Sequence, residues 1–202
     1  MTQGRLLLVR HGETEWSRLG RHTGRTDLAL TPRGEQQASA LEPLLVCEAT
    51  ALVLVSPLER ARRTADLAGL ARSGSYELDD DLVEWDYGDY EGLTTAEIRE
   101  RAPGWTIWTQ PCPGGETGAH VAQRCDRVVT RVLEALGRGD VVVVAHGHLL
   151  RALASRWLGL PVSGGAGLEL GTAALCVLGE QYDARTIVRW NIPNPAEEAG
   201  AP

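Results

Sequence analysis

Two short stretches of this chain place cations and imidazoles directly after an apolar run. Leu6-Leu7-Leu8-Val9 gives way to Arg10-His11-Gly12, and Val141–Ala145 gives way to His146-Gly147-His148. A strand leaving the core at a glycine can simply be turning, with its polar residues facing water. In an open α/β sheet, however, ligands bind at the carboxyl edge of the strands, and two parallel strands would bring both histidines to that edge. The glycines, Gly12 and Gly147, would let a ligand approach the backbone closely. A third apolar run, 51–55, ends in Ser56-Pro57 and leads into a helical pattern carrying Arg60, Arg62 and Arg63. Arg60 falls in the first turn, near the strand end, whereas Arg62 and Arg63 read as solvated. Guanidinium forks match phosphate geometry, so Arg10 and Arg60 beside two imidazoles would suit a dianion. The same residue types leave a metal site on His11, His146 and His148 as an alternative. Adjacent arginines would repel a divalent cation, and no carboxylate stands at ligand spacing to them. A P-loop is excluded, because GxxxxGK[ST] is absent.

The elements that must position these residues alternate along the chain. "RLLLV", "ALVLVS" and "DVVVVAH" are continuous apolar runs, the pattern of strands covered on both faces. Helical patterns separate them. "PRGEQQASALEPLL" starts at Pro32 with Thr31 as cap, and "PLERARRTADLAGL" follows Ser56 in the same style. "GAHVAQRCDRVVTRVLEAL" carries an apolar stripe of Val121, Cys125, Val128, Val129, Val132, Leu133 and Leu136, and "HLLRALASRWLGL" follows the valine strand. This alternation predicts an α/β fold: a three-layer α/β/α sandwich with a mostly parallel central sheet in a single domain. "TAALCVLGEQYDARTIVRW" predicts two further strands around a polar turn. The domain is expected over 1–192, with a lid-like excursion at about 86–118 and a disordered tail at 193–202.

Composition narrows the function classes. With 202 residues, 43% of them hydrophobic, the chain has material for one substantial core. The net charge of −7 argues against a nucleic-acid binder. Local basic residues (Arg5, Arg10, His11, Arg18, Arg21, His22, Arg25) within an acidic protein instead suit a small anionic ligand. No apolar run reaches the ~20 residues of a membrane span, and Leu6–Val9 is too short for a secretory h-region. A cytoplasmic location is therefore expected. Cys47, Cys112, Cys125 and Cys176 lack CxxC spacing and read as reduced, mostly buried thiols. The aromatic set of six Trp, four Tyr and no Phe gathers in "EWDYGDYEG" and "GWTIWTQ", so these residues should line or cover one region.

Taken together, "LLLVRHGETEW", "RHTGRTDLALT", "SPLERARRTA", "LVEWDYGDYEG", "GGET" and "VVAHGHLLR" resemble the histidine phosphatase superfamily, in its phosphoglycerate-mutase-like branch. The blocks stand in that family's order over residues 6–190 or so. Within the branch they are most similar to sugar-phosphate and acid-phosphatase-like members. The resemblance implies a metal-independent phosphoric monoester hydrolase without a cofactor, acting on a small phosphorylated metabolite. It implies His11 as the nucleophile, with Arg10, Arg60 and His146 clamping the phosphoryl oxygens, and Glu84 as the proton donor. Ser17, Thr23 and Gly24 match positions on the substrate side, Ser17 standing where mutases carry Asn; Gly147 is placed with them. His22, His120 and His148 receive no role.

Physical chemistry agrees with these assignments. Phosphoryl transfer needs an in-line nucleophile, charge stabilisation on the equatorial oxygens and an acid for the leaving oxygen. A neutral imidazole can attack near pH 7, splitting one hard step into two. Glu84 must be protonated to act, so its pKa should be raised, by Asp86 and Asp89 and by burial beside Trp85 and Tyr87. Two rivals remain: a phosphoglycerate mutase, and a non-catalytic phosphate-ligand-binding protein on the same fold. The compact "GLTTAEIRERAPGW" after the Glu84 block favours hydrolysis over a mutase, which needs a longer enclosing insertion. A monomer or homodimer is expected, with no membrane and no nucleic-acid partner.

Overall fold

The computed structural model describes residues 4–198 apart from 46, 48, 73 and 75. In chain order its elements are β1 (Leu6–Arg10), α1 (Glu15–Arg18), α2 (Pro32–Ser39), β2 (Thr50–Val55), α3 (Glu59–Leu67), β3 (Glu77–Leu78), α4 (Thr95–Arg101), α5 (Gly118–Leu136), β4 (Asp140–Ala145), α6 (Gly147–Trp157), β5 (Leu175–Gln181), β6 (Ala184–Ile192) and α7 (Pro195–Glu198). One six-stranded sheet runs in the order β3-β2-β4-β1-β5-β6. β3, β2, β4 and β1 are mutually parallel, and β5 pairs antiparallel with both β1 and β6.

The apolar runs are strands because both sheet faces are covered. Along β1 the pleat sends Leu6 and Leu8 to one face and Leu7 and Val9 to the other. Leu6, Leu8, Val141 and Val143 pack with Val121, Cys125, Val128 and Val132 of α5 and Leu149 and Leu153 of α6. Leu7, Val9, Val142 and Val144 pack with Ala38 of α2 and Ala61 and Ala65 of α3. This is the three-layer, mostly parallel sandwich that the alternating pattern predicts. β1 pairs in register with β4, Arg10 opposite Ala145, so Arg10-His11 and His146 emerge side by side at the carboxyl edge.

Helix starts follow the caps in most cases. Thr31 Oγ1 accepts from Gly34 N at 3.0 Å, as expected of a Thr-Pro start. α3 differs from the expected Ser56 start: Leu58 occupies the cap position without a side-chain bond. Ser56 Oγ accepts from Leu58 N at 3.4 Å, and more closely meets His146 (below). On α5 the stripe holds except at Leu133, which is 41% exposed. Arg124, by contrast, is buried on α5. It makes a two-point salt bridge to Glu116 and donates to the carbonyls of Asp81 and Val83. The β5–β6 hairpin turns through Tyr182 and Asp183, both at positive φ (51° and 62°), which suits a two-residue turn matched to strand twist.

The stretch 193–202 carries the short α7, and Asn194 is buried, its amide donating to the carbonyls of Gln37 and Ala173; residues 199–202 lie outside the described residues. The cysteines are free thiols, Cys47 half-buried and the other three buried. Among the described residues no helix is long and apolar enough to cross a membrane.

Candidate active site

At the carboxyl edge of β1 and β4 lies a cavity of about 170 Å³. Arg10, His11, Ser17, Thr23, Glu84 and Gly147 line it, together with His22, Tyr87, His148 and Arg151. Arg60, His146 and Gly24 stand behind this wall, the first two wholly buried.

His11 is fixed by backbone at both ends. Its N–H donates to Ala145 O at 3.0 Å, and its carbonyl accepts from Ala173 N at 3.0 Å. The ring Nδ1 lies 2.7 Å from Gly12 O. A carbonyl can only accept, so Nδ1 carries the hydrogen and the Nε2 lone pair is left for chemistry. Burial, then the charges of Arg60 and Arg10, hold the imidazole well below its usual pKa, and hence neutral. Gly12 is required for a different reason from room for a phosphoryl group. A Cβ there would lie 2.3 Å from Gly34 O, so α2 and the β1 end approach through this glycine.

Arg10 and Arg60 sit differently. Arg10 donates Nη1–H to Leu170 O at 2.6 Å, while its buried Nε has no hydrogen-bond partner. A Cβ on Gly147 would come within 3.2 Å of that Nε, so glycine keeps this corner open. Arg60 commits four of its five N–H donors to the protein. It donates to Thr26 O (2.9 Å), Thr23 O (3.2 Å), Gly24 O (3.0 Å) and His146 Nδ1 (3.1 Å). Because guanidinium cannot accept, His146 Nδ1 is the acceptor, and its Nε2–H donates to Ser56 Oγ at 2.7 Å. The His146 ring stands 5.1 Å from that of His11, centroid to centroid. Arg60 thus pins the 23–26 segment and the second histidine while its charge falls on His11.

Glu84 arrives on the segment that Arg124 holds by Val83 O. Its Oε1 accepts from Trp85 N (2.9 Å) and Leu149 N (2.8 Å), and Oε2 from His148 N (3.0 Å). The His148 and Leu149 amides are the second and third of α6, whose own cap residue, His146, makes no side-chain bond to the helix amides. The carboxyl of Glu84 caps the helix from another part of the chain. Burial raises its pKa, against the pull of the three amides and Arg60. Burial, rather than the Asp86 and Asp89 charges expected to raise it, is the main cause, and Asp86 is paired with Arg25 at 2.6 Å. Oε1 has both lone pairs engaged, so Oε2 is the oxygen with capacity for a proton.

The other expected contacts are placed as follows. Ser17 lines the cavity, but its hydroxyl donates to Thr14 O in a capping box, so its hydrogen is committed locally. Thr23 lines it with Oγ1 donating to Arg21 O. Gly24 N–H donates to the Glu91 carboxylate, and a Cβ there would lie 2.8 Å from Trp85 O. His120 is exposed on α5, away from the cavity lining.

Sequence reasoning missed Tyr87 as a lining residue, and His22, His148 and Arg151. Arg151 carried a readable signal, lying one turn after Gly147 on the same helix. Its guanidinium stacks over Trp108 at 4.7 Å and donates to Gly165 O and Ala166 O. Trp85, Trp105 and Trp108 gather around His22 and His148, so the Trp-rich stretch does cover one region. Among the described residues no cluster of three His, Cys, Asp or Glu could hold a metal ion.

A neutral, oriented imidazole, a guanidinium with an unpartnered Nε and a buried carboxyl share a cavity at the edge of a parallel sheet, an arrangement suited to the chemistry of phosphate esters in an α/β fold. The family model of the histidine phosphatase superfamily (branch 1) matches residues 6–193, and the chain belongs to that superfamily. It is a phosphoric monoester hydrolase. It is 45% identical over 185 residues to an acid phosphatase of Mycobacterium tuberculosis, covering 91% of this chain and 90% of that protein. It is 39% identical over 186 residues to the sedoheptulose 1,7-bisphosphatase of Saccharomyces cerevisiae, covering 78% of this chain and 69% of that protein. The solved structure of the open reading frame Rv3214 from Mycobacterium tuberculosis superposes with a TM-score of 0.91 at 42% identity, covering 96% of this chain and 100% of that one.

Proposed function

We propose that this enzyme hydrolyses small sugar phosphates or bisphosphates through a phosphohistidine on His11 Nε2. One observation carries the reading: the Gly12 carbonyl commits Nδ1–H, leaving the Nε2 lone pair of a neutral imidazole in a cavity shared with Glu84 and the unpaired Nε of Arg10. In the first step the Nε2–P bond forms as the ester P–O bond breaks, and Glu84 Oε2 gives its proton to the leaving oxygen. In the second, water attacks phosphorus, the Nε2–P bond breaks, and the Glu84 carboxylate takes the water proton. Arg10 donates to the equatorial oxygens, and the Arg60 charge, held by three carbonyls and His146, stabilises the same group from behind. Thr23, Ser17 and Gly147 shape the wall, and Gly24 makes room for Glu91 to anchor the 23–26 segment.

Two features support a sugar phosphate or bisphosphate as substrate. The relatives named above include a sugar bisphosphatase, and Arg21 and Arg151 line the same cavity, where a second anionic group could meet them. A panel of phosphorylated metabolites, assayed with chelator present and quenched for mass spectrometry, tests the reading. Metal-independent release of phosphate with a phosphorylated His11 is expected. Chelator-sensitive turnover, or transfer of the phosphoryl group to a second hydroxyl with no free phosphate, would overturn it.

A further inference from the structure

The cavity wall next to Glu84 holds an imidazole whose two nitrogens are in unlike situations. His148 Nδ1 lies 2.6 Å from Tyr87 Oη. Burial keeps the Tyr87 phenol well above its usual pKa, so it retains its hydrogen. Burial, with the neighbouring His22 and Arg151, keeps His148 well below its own, so the ring is neutral. Phenol is the better acid and an imidazole nitrogen the better base, so the hydroxyl donates to Nδ1. A neutral ring accepting at Nδ1 carries its hydrogen on Nε2.

No described residue accepts from that Nε2. Arg10 Nε is the one wholly buried side-chain nitrogen or oxygen without a partner among the described residues, so His148 Nε2 is open to the cavity its ring lines. The ring is held on three sides, its centroid 5.7 Å from His22, 5.4 Å from Trp108 and 5.9 Å from Tyr87. Its own backbone N–H donates to Glu84 Oε2, the oxygen with room for the proton. The side chain therefore stands beside the point where a leaving oxygen would be protonated.

We propose that His148 is a specificity-determining donor: its Nε2–H, fixed in that tautomer by Tyr87, hydrogen-bonds an acceptor oxygen on the leaving group next to the ester oxygen. The site then selects phosphates of polyols over those of simple alcohols. Tyr87 acts through His148, as a positioning residue. The inference rests on Glu84 protonating the leaving oxygen.

The test compares kcat/KM for 2-hydroxypropyl phosphate and propyl phosphate, a pair differing in one vicinal hydroxyl. One net hydrogen bond predicts a preference for the hydroxylated ester of about two- to tenfold. His148→Phe keeps the stack and removes both nitrogens, so the preference should collapse to about one. Tyr87→Phe should lower it partway by freeing the tautomer, and the double variant should lose no more than His148→Phe alone. Nitrogen-15 NMR of the wild-type protein reads the tautomer directly and needs no variant: Nε2 should show a protonated shift and Nδ1 an unprotonated one. A wild-type Nδ1–H tautomer, or an unchanged preference in His148→Phe, overturns the proposal. Absence of phosphoenzyme with either ester would instead overturn the phosphohistidine reading, so the two failures are distinguishable.

Discussion

Replacing Glu84 by Gln separates proton donation from helix capping, because the structure assigns the two functions different costs. Gln can place its carbonyl at the Oε1 position and keep the bonds from Trp85 N and Leu149 N. Its amide nitrogen then faces His148 N–H, donor against donor, where Oε2 now accepts at 3.0 Å. Losing that one bond should cost about 1–3 kcal/mol of stability, a loss that no substrate can distinguish. The missing proton acts otherwise. An alkoxide leaving from a sugar phosphate is strongly basic and needs the acid, which contributes roughly 10²–10⁴-fold, or about 3–5 kcal/mol. A nitrophenolate leaves without help. The ratio of first-turnover rates for p-nitrophenyl phosphate and a sugar phosphate should therefore rise by roughly 10²–10⁴ in the variant, whatever its stability. Phosphoenzyme formed from p-nitrophenyl phosphate should also persist, since no carboxylate remains to activate water. Rapid-quench measurement of both bursts reads the two effects. Equal slowing with the two leaving groups would refute the assignment and reduce Glu84 to a cap for α6.

Three further outcomes follow from the geometry. His11→Ala should abolish turnover and phosphoenzyme while the protein still melts cooperatively, because the side chain's one hydrogen bond is to its neighbour Gly12; label retained in the variant, seen by mass spectrometry, would move the nucleophile elsewhere. Arg60→Ala should weaken orthovanadate inhibition and lower stability by roughly 3–5 kcal/mol, since it strands His146 Nδ1 and three carbonyls. Arg63→Ala, whose partner Glu35 is exposed, should cost ~1 kcal/mol or less, and equal losses in calorimetry and inhibition would contradict this. In the pH profile of kcat/KM, His11 must be neutral and Glu84 protonated. Burial pushes the first pKa down and the second up, which moves the two required forms toward a common pH range. Activity on a sugar phosphate should persist well below pH 6.5, where an ordinary histidine would already be charged, and fall as pH rises through the Glu84 pKa. A falling limb that survives in Glu84→Gln would assign it to another group.

The sequence by itself determined the scaffold and the chemical cast. Short continuous apolar runs bounded by turn signals read as strands of a covered sheet, and helical patterns between them imply parallel crossovers, which brings Arg10, His11 and His146 to one edge. Those inferences need only local pattern and chain direction: β1, β2 and β4 stand where the apolar runs are, and the α5 stripe holds except at Leu133. What tertiary structure alone decided is how most of these groups are placed, by charge and by hydrogen bond, by neighbours distant in the chain. Glu84 owes its raised pKa mainly to burial, and Arg25, a residue 61 positions away from Asp86, pairs with the Asp86 carboxylate. Ser56 reads as a helix cap, but His146, 90 positions on, claims its hydroxyl. Arg60 reads as a residue near a strand end, but that it also ties down the carbonyls of Thr23, Gly24 and Thr26 emerges only when the chain folds back. The neutral tautomers of His146 and His148 depend in the same way on which distant atom faces each ring nitrogen. Periodicity records which residues are buried and where strands end; it carries no information about which hydrogen-bond partner arrives across the fold.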